Sequence, residues 1–131
     1  MKRSAQSLVQ AAMDEVATLS VAQARALHGS SDVQFVDVRD VRELEREGII
    51  PGAVHAPRGM LEFWVDPESP YHRDVFAQDK LFVLFCAAGW RSALATQTLL
   101  HMGMTRVAHI DGGFTAWKEA GAPVAVKPAK A

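Results

Sequence analysis

Three short runs rich in β-branched and aromatic residues constrain this chain most: Val33-Gln34-Phe35-Val36-Asp37-Val38, Leu81-Phe82-Val83-Leu84-Phe85 and Arg106-Val107-Ala108-His109-Ile110. Their nearly continuous apolar character suits strands buried on both faces, as in a parallel sheet covered by helices. Ala53-Val54-His55 is a weaker fourth candidate. Helical spacing fills stretches between and after them, at 40–47, 91–102 and 113–120, the last with Phe114, Trp117 and Ala120 on one side. The pattern predicts an α/β layered domain.

Leu8, Val9, Ala12, Met13 and Val16 recur at helical spacing within residues 4–17, which predicts an accessory amphipathic helix in segment 1–17, ahead of a domain over 18–124. Ser20 is placed to cap a second short helix with Val21, Ala24 and Leu27 on one face, ending near His28-Gly29. Residues 57–79, broken by Pro57, Gly59, Pro67 and Pro70, read as irregular, with one turn of helix over Met60 to Val65 and a position suited to covering a site. The end, 125–131, is rich in Ala and Lys and reads as a loose tail.

A chain of 131 residues that is 49% hydrophobic has enough apolar surface for one packed core. No apolar stretch is long enough to cross a bilayer. Met1-Lys2-Arg3 is followed by Gln6, Ser7, Gln10, Asp14 and Glu15, so no signal-peptide core forms and a cytoplasmic location is expected. With 14 basic and 15 acidic side chains there is no electrostatic basis for a nucleic-acid or membrane partner. The single cysteine excludes an internal disulfide and leaves a buried thiol or a reactive one.

The neighbours of that cysteine point to chemistry. Leu84-Phe85-Cys86-Ala87-Ala88-Gly89-Trp90-Arg91-Ser92-Ala93 reads as an apolar strand, a cysteine, a short loop with glycine, then a helix. Open α/β sheets bind ligands beyond the carboxyl ends of their strands, so the loop starts where a site belongs. A loop curling into a helix N-terminus aims backbone N–H groups at one point, and the helix adds partial positive charge there. An anion is stabilised at such a point, and the thiolate is the nucleophilic form of cysteine. Arg91 adds positive charge, Gly89 can take the left-handed conformation of a tight cradle, and Ala87 and Ala88 are small enough to leave the sulfur accessible. A lone cysteine ending an apolar strand is otherwise an inert core residue. That reading gives no role to glycine and arginine at these spacings, so the sequence points to Cys86 as the catalytic thiol, with Ala87, Ala88, Gly89, Trp90, Arg91 and Ser92 as its loop.

From about Thr18 to Val124 the chain resembles the rhodanese family. Four local matches carry the likeness, in the family's order: Phe35-Val36-Asp37-Val38-Arg39, then Gly48 to Pro57, then Cys86 to Ser92, then Asp111-Gly112-Gly113-Phe114-Thr115-Ala116-Trp117. The resemblance implies a rhodanese-like three-layer α/β domain, a parallel five-stranded sheet flanked by helices, with an active loop from Cys86 to Arg91 wrapping the sulfur. It also implies a sulfurtransferase. The Cys86 thiolate takes sulfane sulfur from a donor such as thiosulfate, releasing sulfite, and cyanide or a thiol then attacks the persulfide. Loop amides stabilise the anionic sulfur, and no metal or organic cofactor is implied.

The chain departs from the family in two places. Ile50 stands where histidine is usual, and Ala87 and Ala88 stand where thiosulfate-using members carry basic residues. The second departure leaves the donor open, and with it a relay role in which Cys86 takes persulfide from a partner protein.

Asp37 and Arg39, near the end of their strand, are candidates to support the loop or the substrate, Asp37 by pairing with Arg91 or another cation. Arg58 could reach the mouth of the site and attract an anionic donor. Trp90, Phe63 and Trp64 are candidates for an apolar rim. His28, His55, His72, His101 and His109 show no close ligand spacing, so no metal site is expected.

Phosphatases and arsenate reductases of similar architecture also hold a cysteine in an anion-binding loop. Their loops carry one residue more than the four, Ala87 to Trp90, that separate Cys86 from Arg91. A shorter loop suits a sulfur atom better than a tetrahedral oxyanion. With one cysteine the chain cannot resolve a persulfide into its own disulfide, so the acceptor comes from outside.

Overall fold

The computed structural model describes residues 1–129; Lys130 and Ala131, the last two of the expected tail, lie outside the described residues. Among the described residues five strands form: β1 (Ala17–Leu19), β2 (Val33–Asp37), β3 (Val54–His55), β4 (Leu81–Phe85) and β5 (Val107–Ile110). They pair in parallel throughout, in the order β1-β5-β4-β2-β3. Six α-helices accompany them: α1 (Ala5–Glu15), α2 (Val21–Leu27), α3 (Val41–Glu47), α4 (Leu61–Val65), α5 (Trp90–His101) and α6 (Gly113–Glu119). Short 3-10 turns at Arg58–Met60 and Asp74–Ala77 complete the irregular stretch.

Local chemistry sets the helix starts. Ser4 accepts a hydrogen bond from the Ser7 N–H at the head of α1. Ser20 with Gln23, and Asp40 with Glu43, form reciprocal capping boxes at the heads of α2 and α3. Each satisfies N–H groups that have no partner inside the helix.

The alternation of β4 explains its unbroken apolar sequence. Phe82, Leu84 and Cys86 face one layer, with Leu61 and Val65 of α4 and Ala95 and Leu99 of α5. Val83 and Phe85 face the other, with Ala24 of α2 and Phe114 and Trp117 of α6. Both faces are therefore dry, and truncating a side chain such as Leu84 to alanine would cost about 2–5 kcal/mol. Ile50, in place of the family's histidine, is wholly buried in the second layer.

Helix α1 packs outside α5 through Val9, Ala12 and Ala93, and Glu15 accepts hydrogen bonds from Gln97 and pairs with His101. The tail expected to be loose is pinned at its first residue, since Ala125 and Ile49 exchange two backbone hydrogen bonds of 2.9 and 2.8 Å. No described helix is long and apolar enough to cross a membrane.

Candidate active site

Strand β4 ends at Phe85, and Cys86 follows it at the carboxyl edge of the sheet. The turn after the strand is fixed from α6, whose Phe114 and Thr115 N–H groups donate to the Cys86 and Ala87 carbonyls at 2.8 and 3.0 Å. Such close approach requires glycine at 113: a Cβ there would collide with the Cys86 carbonyl and come 2.8 Å from that of Ala87. Gly89 stands just before α5 with φ +115°, a left-handed conformation that side chains disfavour. That turn sends the chain back over the sulfur. The Gly89 N–H donates to Cys86 Sγ at 3.1 Å and the Ser92 N–H at 3.4 Å.

The helix begins at Trp90, so Trp90, Arg91 and Ser92 form the first turn of α5 and the loop proper is Cys86 to Gly89. A second difference concerns access. Cys86 is only 1% exposed and belongs to the apolar cluster between sheet and helices, whereas the small neighbouring side chains predict an open sulfur. Ala88 and Trp90 lie at the surface while the backbone between them covers the thiol.

Arg91 does not meet Asp37. Its guanidinium pairs bidentately with Glu43 of α3, Nη1 to Oε2 at 2.8 Å and Nη2 to Oε1 at 2.9 Å. Arg91 lowers the Glu43 carboxyl to about 2, and Glu43, with a smaller contribution from Cys86, raises the Arg91 guanidinium above its ordinary value. Asp37 instead takes Arg39, with Nη2 to Oδ2 at 2.8 Å and Nε to Oδ1 at 3.0 Å. Arg39 is fully buried, also donates to the Gly48 carbonyl, and lies 4.1 Å above the Phe114 ring.

Arg58 is held by Glu62 and Thr98 at 2.7 and 3.2 Å, which ties its guanidinium to α4 and α5. The expected aromatic rim is divided. Trp90 and Phe63 are exposed, but Trp64 packs against the core and carries the Arg73 guanidinium 3.7 Å over its ring.

Three residues at the site lack a local sequence signal. Glu43 is an ordinary capping-box acid until the fold brings Arg91 to it. Gly113 is one of a Gly-Gly pair, which marks a turn but not what approaches it. His109 lies within an apolar strand, fully buried, with Nδ1 3.0 Å from Ser92 Oγ and Nε2 3.1 Å from Thr18 Oγ1. Burial holds its ring below the ordinary histidine range, so it is neutral at pH 7.

Beside the loop, a cleft of about 430 Å³ is bordered by Ala87 and Phe114. Its charges balance: Arg39, Arg46 and Lys118 against Glu43, Glu47 and Glu119. Among the described residues no group of three or more His, Cys, Asp or Glu side chains is arranged to hold a metal.

A parallel α/β sheet whose central strand is followed by a cysteine, held by amides at the start of a helix, defines a single-thiol α/β domain. The chain belongs to the rhodanese-like domain family, whose sequence model matches residues 20–120. It is 32% identical over 112 residues to a sulfurtransferase of Allochromatium vinosum, covering 86% of this chain and 94% of that protein. It is 33% identical over 104 residues to the thiosulfate sulfurtransferase GlpE of Shewanella oneidensis, covering 79% and 94%. A solved protein of unknown function from Rhodopseudomonas palustris, described as a possible tyrosine phosphatase, superposes with a TM-score of 0.93 at 51% identity, covering 95% of this chain and 96% of that one.

Proposed function

We propose that the protein is a sulfurtransferase that carries sulfur as a persulfide on Cys86. The observation that supports this most directly is the pair of N–H groups, of Gly89 and Ser92, aimed at Cys86 Sγ at the start of α5. These donors stabilise a negative sulfur, whether thiolate or persulfide, without reorganising during the reaction.

In the first half-reaction the Cys86 thiolate attacks the outer sulfur of thiosulfate. The sulfur–sulfur bond of the donor breaks, and sulfite leaves with the electron pair. In the second, cyanide or a thiolate attacks the terminal sulfur of the persulfide, and Cys86 leaves as thiolate. Because the sulfur is closed off by the backbone between Ala88 and Trp90, a donor reaches it when that turn shifts.

A persulfide relay is the second reading. The two alanines and the balanced charge of the cleft give an anionic donor little attraction, which favours sulfur delivered by a partner protein. A phosphatase reading, raised by the description of the Rhodopseudomonas protein, is disfavoured by Arg91, both of whose Nη groups are occupied by Glu43.

Intact-mass measurement after incubation with thiosulfate, with a persulfidated protein as parallel donor, tests the proposal. The wild type should gain about 32 Da, lose it to cyanide, and gain nothing as Cys86→Ser, which lacks the soft nucleophile. Gain from the protein donor alone identifies the relay. Hydrolysis of an aryl phosphate with no added sulfur from either donor would overturn both.

A further inference from the structure

A buried thiol that becomes a thiolate must release its proton, and Cys86 has almost no contact with solvent. The side chains behind it offer a path. The Cys86 thiol donates to Ser92 Oγ at 3.5 Å, Ser92 Oγ lies 3.0 Å from His109 Nδ1, and His109 Nε2 lies 3.1 Å from Thr18 Oγ1. Ser92 is on α5, His109 on β5 and Thr18 on the edge strand β1, where His109 and Thr18 are partners in register. Ser92 and His109 are fully buried, whereas Thr18 is exposed. The file is continuous and polar, and its last residue is exposed.

A buried histidine satisfied by two hydroxyls would by itself be ordinary packing. What goes further is that each member both donates and accepts, and that the far end of the file is at the surface. We infer that Ser92, His109 and Thr18 form a proton relay between Cys86 and the surface. The inference rests on the reading of Cys86 as a sulfur carrier, for which the thiolate must form.

The relay balances in both directions. With Cys86 as thiol, S–H points to Ser92 Oγ, the Ser92 O–H to His109 Nδ1 at 3.0 Å in preference to the Gly89 carbonyl at 3.3 Å, and the His109 Nε2–H to Thr18 Oγ1. On ionisation the sulfur proton passes to Ser92, the Ser92 proton to Nδ1, the Nε2 proton to Thr18, and the Thr18 proton to water. Every bond in the file then points back toward the sulfur, and Ser92 donates to the new anion. Uptake of a proton at Thr18 reverses each step. The neutral ring, kept so by burial, supplies the one donor and one acceptor that this requires.

Few charges act on the file. Asp111, the residue that follows β5, favours a proton on His109 more weakly than burial disfavours it. Thr18 from β1, Leu84 from β4 and Ser92 from α5 are neutral. Arg91 carries the nearby positive charge felt by Cys86.

The test follows thiolate ultraviolet absorbance after an upward pH jump, with Cys86→Ser subtracted as background. It needs neither a sulfur donor nor access to the thiol. His109→Leu breaks the file at its centre, and Thr18→Val, a substitution of similar shape on the exposed edge strand, cuts it at the surface. Both should slow thiolate formation at least about tenfold. Thr18→Ser, which restores the hydroxyl, should bring the rate back. If His109→Leu does not fold, Thr18→Val decides alone. Rates equal to wild type in the folded variants would overturn the relay while sulfur loading by the wild type still stood. Slowed release in the variants, together with a wild type that takes up no sulfur, would leave the relay standing and remove the sulfurtransferase reading.

Discussion

Glu43 and Arg91 are joined by two parallel hydrogen bonds of 2.8 and 2.9 Å, and Glu43 Oε2 also accepts the Asp40 N–H that starts α3. One carboxylate therefore caps a helix and fixes the first turn of another beside the candidate thiol. Glu43→Gln keeps the shape but removes the charge. Since the Arg91 side chain is 41% exposed, the pair is screened and the substitution should cost only about 1 kcal/mol in urea unfolding. Sulfur loading should fall more than stability does, because the freed arginine no longer fixes the turn whose amides face Cys86.

The same carboxyl predicts a pH dependence. Its acidity is shifted from 4.5 to about 2, mainly by the hydrogen bonds from Arg91. A lowered folded-state value means that the unfolded chain binds the proton more readily. The contribution of Glu43 is thus complete above about pH 4.5 and is lost as pH falls toward about 2. Thermal unfolding of wild type and Glu43→Gln followed across that window should show the two melting temperatures converging. A constant gap would mean that the pair does not ionise as described.

Gly113 and Gly121 make a matched test of the loop contact. Both have positive φ, 57° and 74°, but an added Cβ meets the Cys86 and Ala87 carbonyls at 113 and open space at 121. Gly121→Ala should cost only the left-handed strain of about 1–2 kcal/mol. Gly113→Ala adds backbone collision, so it should cost more and also depress persulfide formation. Equal losses of stability and no change in loading at either position would show that α6 does not support the loop.

Much of this architecture is legible in the residues, for physical reasons that also mark the limits. Val33–Asp37 and Leu81–Phe85 read as strands because both faces are buried, which removes the alternation an open sheet would show. Ala17–Leu19 does not: three residues on a sheet edge, two of them exposed, carry no period, and they follow a helical pattern that runs into them. Cys86 and Gly89 are legible because a loop that turns over a sulfur needs a residue tolerant of positive φ at a fixed offset. Glu43 and His109 are not, since each acquires its partner from another element, 48 and 17 residues away. The burial of the thiol is equally invisible, because Ala87 and Ala88 tell of small side chains but not of the path of the backbone around them.

Asp37 and Arg39 separate a structural role from substrate binding. Arg39 borders the cleft, yet its fork is spent on Asp37 and the Gly48 carbonyl and its plane lies over Phe114. Arg39→Ala leaves the Asp37 carboxylate buried without its cation and should destabilise the fold by about 3–5 kcal/mol. Replacing both, as Asp37→Leu with Arg39→Met, removes the orphaned charge and should recover part of that loss, though not the bond to Gly48. Arg39→Lys keeps the charge but gives up the planar fork and the stacking, so a smaller destabilisation is expected. The decisive measurement is the rate of sulfur loading per folded molecule, with the folded fraction taken from urea unfolding. A structural arginine leaves that rate near wild type in Arg39→Lys. If the rate drops at least about tenfold while the protein stays folded, Arg39 contributes to the reaction itself and not only to the end of β2.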